Sequence, residues 1–337
     1  MCENAVNARV PVAVPGARGS SPLLKKVAGA VAATAALGAA TAAYGHFIEL
    51  NNFQLRTESL PVLPAGSPDF RILHISDMHM IPGQQKKIDF MHSLAALEPD
   101  LVMNTGDNLS HVGGMEPLLK ALDPLMDFPG VFVPGSNCYF APIFKNPARY
   151  LWQPRTPQMI EEGSRVALPI EQMHEAFESR GWTGLVNRYD TLKLNGLRLE
   201  FSGVDDPHLR YDKHPGFAPG AFDEGDEPSV RIGVAHAPYM RTLHRFVQDG
   251  AQAIFAGHTH GGQVCLPGGR ALVSNCDLPA SRAKGVSEQS GVPVQVSAGL
   301  GTSRFAPVRL FCPPEAVLVT LTARDAGKPA STAGGRR

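Results

Sequence analysis

FRILHISDMH, residues 70–79, decides how the chain is read. Phe70, Ile72, Leu73 and Ile75 make an apolar run of strand length, and such a short run predicts a buried strand. The run stops on Asp77 and His79, two side chains that ligate metals. In extended backbone, residues two apart face the same way. The strand therefore predicts a pair of ligands delivered to one point at its carboxyl end.

Further runs repeat the pattern. DLVMNTG (100–106) leads to Asp107, GVFVPG (130–135) to Ser136 and Asn137, VRIGVAH (230–236) ends on His236, and AQAIFAG (251–257) runs into His258 and His260. QQKKIDFMHSLAALEP (84–99) carries Ile88, Met91, Leu94 and Leu97 on one helical face, and YMRTLHRFVQDG (239–250) carries Met240, Leu243 and Phe246 ahead of Gly250. PIEQMHEAFESRGW (169–182) is a third helical pattern, and TLKLNGLRLEFSG (191–203) predicts a hairpin about Asn195-Gly196. Strands alternating with helices predict an α/β protein, and ligands in such folds collect at strand carboxyl ends, where each of these groups falls.

Carboxylates, imidazoles and an amide oxygen suit borderline divalent ions such as Mn, Fe or Zn. The set holds more ligands than one tetrahedral ion uses, which predicts two divalent ions with Asp107 as the natural bridge. In AGHTHGG, His258 and His260 supply one imidazole to each ion, the glycines let the backbone pass close, and Thr259 turns away. Taken singly each motif has an ordinary structural reading, a capping pair, a turn or a core histidine; the ordered recurrence at strand ends carries the inference.

The ordered set DxH, GDN, a third loop, a single His and GHTH resembles the calcineurin-like metallophosphoesterase superfamily from about Arg71 to Gly262, and SAGLGTS followed by APVRLFCPPE looks like its bacterial members. The resemblance implies a four-layer α/β/β/α sandwich, with Asp77, His79, Asp107 and His260 on the first metal and Asp107, His236, His258 and a third-loop residue on the second. It implies hydrolysis of a phosphodiester, pyrophosphate or phosphomonoester by a metal-bridging hydroxide.

The third loop departs from the family's Gly-Asn-His. Aligned without a gap, GSNCY puts Ser136 at the ligand position; shifted by one, Asn137 takes it with Cys138 as its neighbour. Asn137 is favoured, because an amide oxygen binds these ions better than a neutral hydroxyl. Neither alignment leaves a histidine, which removes a general acid worth about 10²- to 10⁴-fold. Cys138 and His208, in VDDPHL, are the candidates to replace it, so the catalytic set reads Asp107, Asn137, Cys138 and His208. His111 and Arg304 are further candidates to touch substrate, His74 and Cys265 are expected in the core, and His92 and His244 on solvent faces. The rival reading is a catalytically impaired metal- and phosphate-binding protein on the same scaffold. A metallo-β-lactamase type fits poorly, since no HxHxDH run is present.

Outside this region the organisation reads as a basic, disordered segment 1–26, a membrane anchor or signal segment 27–47, a linker 48–66, the catalytic domain 67–324 and a disordered tail 325–337. Val27 to Gly45 carry no charge and follow Arg9, Arg18, Lys25 and Lys26. That predicts one N-terminal span in the cell membrane with the catalytic domain extracytoplasmic. A cleaved signal ending near ATA (40–42) and a buried Ala-rich helix are the alternatives. The expected partner is a phosphorylated small-molecule or lipid-linked substrate, and the anchor points to a lipid-linked or envelope one. The 337 residues hold 31 basic and 31 acidic side chains, and that balance argues against nucleic acid as a partner. Five cysteines without CxxC spacing exclude a thiolate zinc site and leave at most an isolated disulfide.

Overall fold

A computed structural model describes residues 22–143, 165–218 and 228–324; the expected tail 325–337 and residues 1–21 of the basic segment lie outside the described residues. In chain order the elements are α1 (Pro22–Phe47), β1 (Gln54–Leu63), β2 (Phe70–Ile75), α2 (Gln85–Ser93), β3 (Leu101–Asn104), α3 (Met115–Leu122), β4 (Gly130–Phe132), α4 (Ser136–Tyr139) and α5 (Ile170–Ser179). Then follow β5 (Thr183–Gly184), β6 (Arg188–Leu194), β7 (Leu197–Gly203), β8 (Ser229–Val234), α6 (Met240–Gln248), β9 (Ala253–Ala256), β10 (Cys265–Leu266), β11 (Arg270–Ala271), β12 (Gly285–Gln289), β13 (Val292–Val296) and β14 (Glu315–Ala323).

Two units divide the chain, one ending at Ala43 and one beginning at Tyr44. The first contains most of α1, whose apolar stretch is long enough to cross a membrane and is not buried. Its helix starts at Pro22, so Lys25 and Lys26 are helical and the expected disordered segment ends earlier than residue 26. Proline suits the first helical turn because its missing N–H has no partner there in any helix.

The second unit is built on two sheets, ordered β1-β14-β2-β3-β4-β5 and β12-β13-β9-β8-β7-β6. Strand alternation assigns the layers. Phe70 and Ile72 of β2, Met103 of β3 and Val131 of β4 pack with Leu199, Phe201, Ile232 and Phe255 of the other sheet. Leu73, Ile75, Val102 and Phe132, on the opposite face, pack under Ile88, Met91, Leu118 and Phe177 of α2, α3 and α5. Leu243 and Phe246 of α6 cover Ile254, Val294 and Val296 on the second sheet's outer face. The result is the four-layer α/β/β/α sandwich.

The stretch expected as a linker, 48–66, is not one. It contributes β1, which pairs in parallel with β14 and places Leu60, Val62 and Leu63 in the inter-sheet core. Pro61 is tolerated because β1 is an edge strand, where a missing ladder N–H costs little. The hairpin is as predicted: β6 and β7 are antiparallel about Asn195 and Gly196, both at positive φ.

Candidate metal centre and active site

β2, β3 and β4 run parallel in one sheet and β7, β8 and β9 parallel in the other. Their carboxyl ends meet, and the chain leaving them carries the predicted residues. Asp77 and His79 follow β2, Asp107 follows β3, Asn137 sits in α4 after β4, His236 follows β8, and His258 and His260 follow β9. The predicted mechanism for pairing needs correction. Asp77, His79, His258 and His260 all have positive φ (50°, 46°, 69° and 51°), so left-handed turns rather than extended chain aim them. Such backbone is uncommon for non-glycine residues and clusters at functional sites.

These turns sort the side chains into two overlapping groups, Asp77, His79 and His260 in one and Asp77, Asp107 and His236 in the other, with donor atoms within 4.8 Å of one another in each. His79 Nε2 lies 3.2 Å from His260 Nε2, and His258 Nδ1 lies 3.3 Å from His236 Nε2. The two imidazoles of the GHTH motif thus go to opposite sides, while the Thr259 hydroxyl donates to Ala283 O. Asp77 is common to both groups, but Asp107 has the geometry of a bridge: one oxygen, Oδ2, lies 3.6 Å from His79 Nε2 and 3.4 Å from His236 Nε2. Gly257 allows this convergence, since a Cβ there would stand 1.9 Å from Ser76 Oγ and 2.5 Å from Asp77 Oδ2. At Gly135 it would stand 2.4 Å from Asp107 Oδ1.

The donor set fits divalent cations. Asp77 Oδ1 is buried without a hydrogen-bond partner, although Oδ2 accepts from Ser76 Oγ and His258 N. A buried carboxylate oxygen left so costs free energy unless a positive group meets it. Backbone carbonyls fix the tautomers: His236 Nδ1 donates to Thr105 O (2.7 Å), His260 Nδ1 to Gly301 O (3.1 Å), and His258 Nε2 to Asn275 O (3.3 Å). In the neutral rings of His258 and His260 the other nitrogen then turns a lone pair inward, and His236 Nε2 faces the same space, an orientation typical of metal-ligating histidine.

Electrostatics agrees. Burial pulls His79 and His260 down to about 3 and His258 well below its ordinary value, so these three imidazoles are neutral and ligand-ready. Burial also opposes ionisation of Asp107, but His236, His79 and the Asn137 amide outweigh it and hold that carboxylate well below the usual range. Burial lowers His236 too, yet Asp107, Asp77 and Asp206 push it up to about 10. A field that holds a proton so firmly on His236 is one that attracts a cation to the same place.

Asn137 donates its backbone N–H to Asp107 Oδ1 and its side-chain amide to Asp107 Oδ2, both at 2.7 Å. Half a turn of the amide would bring its oxygen to the face that Oδ2 presents. Ser136 also lines the cleft. Cys138 does not: its side chain is fully buried in the core under α5, its Sγ accepts from Asn108 N, and burial pushes its thiol up to about 12. The expectation that it could replace the loop histidine is therefore corrected, because it cannot reach a substrate. His208 lines the cleft, with its ring 4.8 Å from that of His258 and Nδ1 3.0 Å from Tyr239 Oη. His111 instead caps a short turn by accepting from Gly113 N, and Arg304 lines an adjoining cavity that shares His79 with the cleft. His74 is buried against Thr105 Oγ1, and His92 and His244 are exposed, as expected.

Sequence reasoning missed several supporting groups. The carbonyls of Thr105, Asn275 and Gly301 have no side-chain signature. Arg309 is fully buried and donates to the carbonyls of Ala298, Gly299, Gly301 and Cys312, bracing the loop that orients His260. An arginine inside the apolar PVRLF run was its signal. Arg165 lines the cleft. Asp206 accepts from His208 N and Leu209 N, and burial raises it to about 7. Cys138, Cys265, Cys276 and Cys312 are free thiols, so no disulfide joins the described residues.

Two facing sheets whose carboxyl ends gather carboxylates and imidazoles in divalent-ion spacing define a metal-dependent phosphoesterase type of protein. The sequence model of the calcineurin-like phosphoesterase family (Metallophos) matches residues 70–262, more than half of the chain, and the chain belongs to that family. It is 27% identical over 279 residues to protein YpbG of Bacillus subtilis strain 168, covering 79% of this chain and 87% of that one. It is 23% identical over 318 residues to the metallophosphoesterase YkuE of the same strain, covering 88% and 96%. Among solved structures it is similar to an archaeal phosphodiesterase (11% identity, 68% of this chain and 84% of that one, TM-score 0.34). It is also similar to the phosphopantetheinyl hydrolase PptH of Mycobacterium tuberculosis (12%, 72% and 92%, TM-score 0.37).

Proposed function

We propose that the protein is a phosphoesterase using two divalent cations (Mn, Fe or Zn), tethered to the cell membrane by its N-terminal helix with the catalytic unit extracytoplasmic, and acting on phosphodiester, pyrophosphate or phosphomonoester bonds. The observation that carries this is the gathering of paired imidazole nitrogens about two carboxylates: His79 and His260 beside Asp77, His236 and His258 beside Asp107. Asp77, His79 and His260 would hold one cation, Asp107, His236, His258 and Asn137 the other, with Asp107 shared. Cations held there lower the pKa of a water molecule and polarise a phosphoryl oxygen.

The chain's own groups supply the rest. Thr105, Gly301 and Asn275 keep the imidazoles in the ligating tautomer. His208, on the cleft wall and held through Nδ1 by Tyr239 Oη, is the imidazole that can give a proton to a leaving oxygen. The substrate is a phosphorylated small molecule or a lipid-linked phosphoester; the apolar helix α1 supports the second.

The full chain loaded with Mn²⁺ is expected to hydrolyse bis-p-nitrophenyl phosphate, and Asp107→Asn to lower kcat at least 10²-fold while the metal-to-protein ratio falls from two. The absent third-loop histidine favours one rival, a scaffold that binds metal and phosphate without turnover. Metal-loaded wild type that binds phosphate yet turns over neither mono- nor diesters establishes that rival and sinks the enzyme.

A further inference from the structure

The cleft that opens on Asp107 and His258 is larger and more apolar than a phosphoryl group requires. It encloses about 500 Å³, a volume that holds a whole small molecule rather than one functional group. Its polar floor is the ligand cluster with Asn137 and His208. Its wall carries the apolar side chains Phe140, Ile143, Val264, Leu272 and Phe305, with Gln263 and Ser303 alongside them and the Arg165 guanidinium 5.7 Å from the centre of the Phe140 ring. Of these Val264 is 41% exposed, Leu272 50% and Phe305 43%. Large apolar side chains left in water beside a charged cluster, on loops from different parts of the chain, mark a recognition surface.

Resting on the phosphoesterase reading above, we infer that this wall binds the hydrocarbon chain of an amphipathic phosphoester whose phosphoryl group lies on the ligand cluster. Two features commit the wall to the substrate's own chain rather than to a bilayer surface. The apolar residues line a concavity, and that concavity is continuous with the reacting end of the cleft, so a chain covalently joined to the phosphoryl group reaches the wall without leaving the cavity. The aliphatic members, Ile143, Val264 and Leu272, offer dispersion contacts without the hydrogen-bond pattern that a nucleobase edge would need.

The test is a homologous series of alkyl p-nitrophenyl phosphate diesters, methyl to octyl, with the full chain reconstituted in lipid nanodiscs and supplied with Mn²⁺. Water adds to phosphorus, the P–O bond to nitrophenol breaks, and the alkyl phosphate and nitrophenolate leave. kcat/KM is expected to rise about two- to fourfold per methylene once the chain passes the floor and meets the wall. Leu272→Ser with Phe305→Ser should flatten that slope; both side chains are exposed, so the pair does not empty the core. Partition of the esters into the nanodisc is common to both proteins, so the difference in slope isolates the wall.

A flat series in the wild type, or an equal slope in the variant, overturns the inference while leaving the phosphoesterase standing. Thymidine 5′-(p-nitrophenyl phosphate) outrunning the octyl ester also overturns it. Hydrolysis of no ester at all defeats the functional reading itself and with it this inference.

Discussion

Asn137 meets Asp107 through two hydrogen bonds, whereas the Ser136 hydroxyl is bonded only to the Asn137 amide, at 3.4 Å, among the described residues. Truncating Asn137 therefore removes a partner of the Asp107 carboxylate, and truncating Ser136 does not. Asn137→Ala is expected to cost 10- to 100-fold in affinity for a divalent cation, in line with losses on removing groups that support metal ligands; Ser136→Ala should change it less than threefold. Metal titration by calorimetry separates the two, and the reverse order would assign the loop the other way. Lys87 makes a second residue-scale case. It is buried, donates to Met78 O, and burial together with Arg309 lowers it from 10.5 to about 7. Between those values the unfolded chain binds a proton that the folded chain does not, so folding stability rises with pH through that interval and the penalty is fully present below about 7. Lys87→Met should flatten the wild-type rise of up to about 1.4 kcal/mol per pH unit, read from urea midpoints at pH 7, 8 and 9. Parallel curves for the two proteins would show that Lys87 stays charged.

Among the elements, β1 has the largest energetic consequence relative to its weak signal. Leu60, Val62 and Leu63 are buried in the inter-sheet core, and Arg56 forks onto Glu315 with two 3.0 Å hydrogen bonds. Exposing three such side chains costs about 5–9 kcal/mol at 1.5–3 each, a large part of the 5–15 kcal/mol by which a domain is stable. A chain beginning at residue 67 is accordingly expected not to fold, while one beginning at residue 48 gives a cooperative thermal transition; a folded 67–337 fragment would show β1 to be dispensable. The strand was hard to read because QLRTESLPVL mixes charges on its outer half with a proline, both allowed only at an edge. β14 was missed for the opposite reason, since EAVLVTLTA lies beyond the motifs and pairs with strands more than 240 residues earlier in the chain, a separation that no local pattern reports. β2, β3, β4, β8 and β9 were legible because each couples an apolar run to a ligand-bearing turn. The ligand identities came with them. Their geometry did not, since positive φ at Asp77 or His258 goes with the hydrogen bonds from Asp77 N to Gly106 O and from His258 N to Asp77 Oδ2; the first exists only once β2 and β3 are paired, and the second only once both sheets are assembled.

At the scale of the whole molecule the candidate centre lies on the seam of the sandwich. One sheet contributes Asp77, His79, Asp107 and Asn137, and the other His236, His258 and His260. Any cation held there ties the two sheets together, so its binding free energy adds to the stability of the entire second unit rather than to that of a loop. A net charge of +0 over the chain means that this attraction is local, generated by two buried carboxylates and not by a global field. Metal removal should therefore act on global unfolding. At 100-fold excess over Kd, a single bound ion stabilises by about 2.7 kcal/mol, which for a domain of this size raises the thermal midpoint by roughly 4–5 °C. Dialysis against a chelator should lower the midpoint by at least that amount, readdition of Mn²⁺ should restore it, and Asp107→Asn should blunt the response because the shared ligand is lost. Lys87→Met, which leaves all seven donors in place, should keep the full metal-dependent shift. A midpoint indifferent to chelation in the wild type would mean that the seam is held without cations, and the inward lone pairs of His258 and His260 would then need another positive partner.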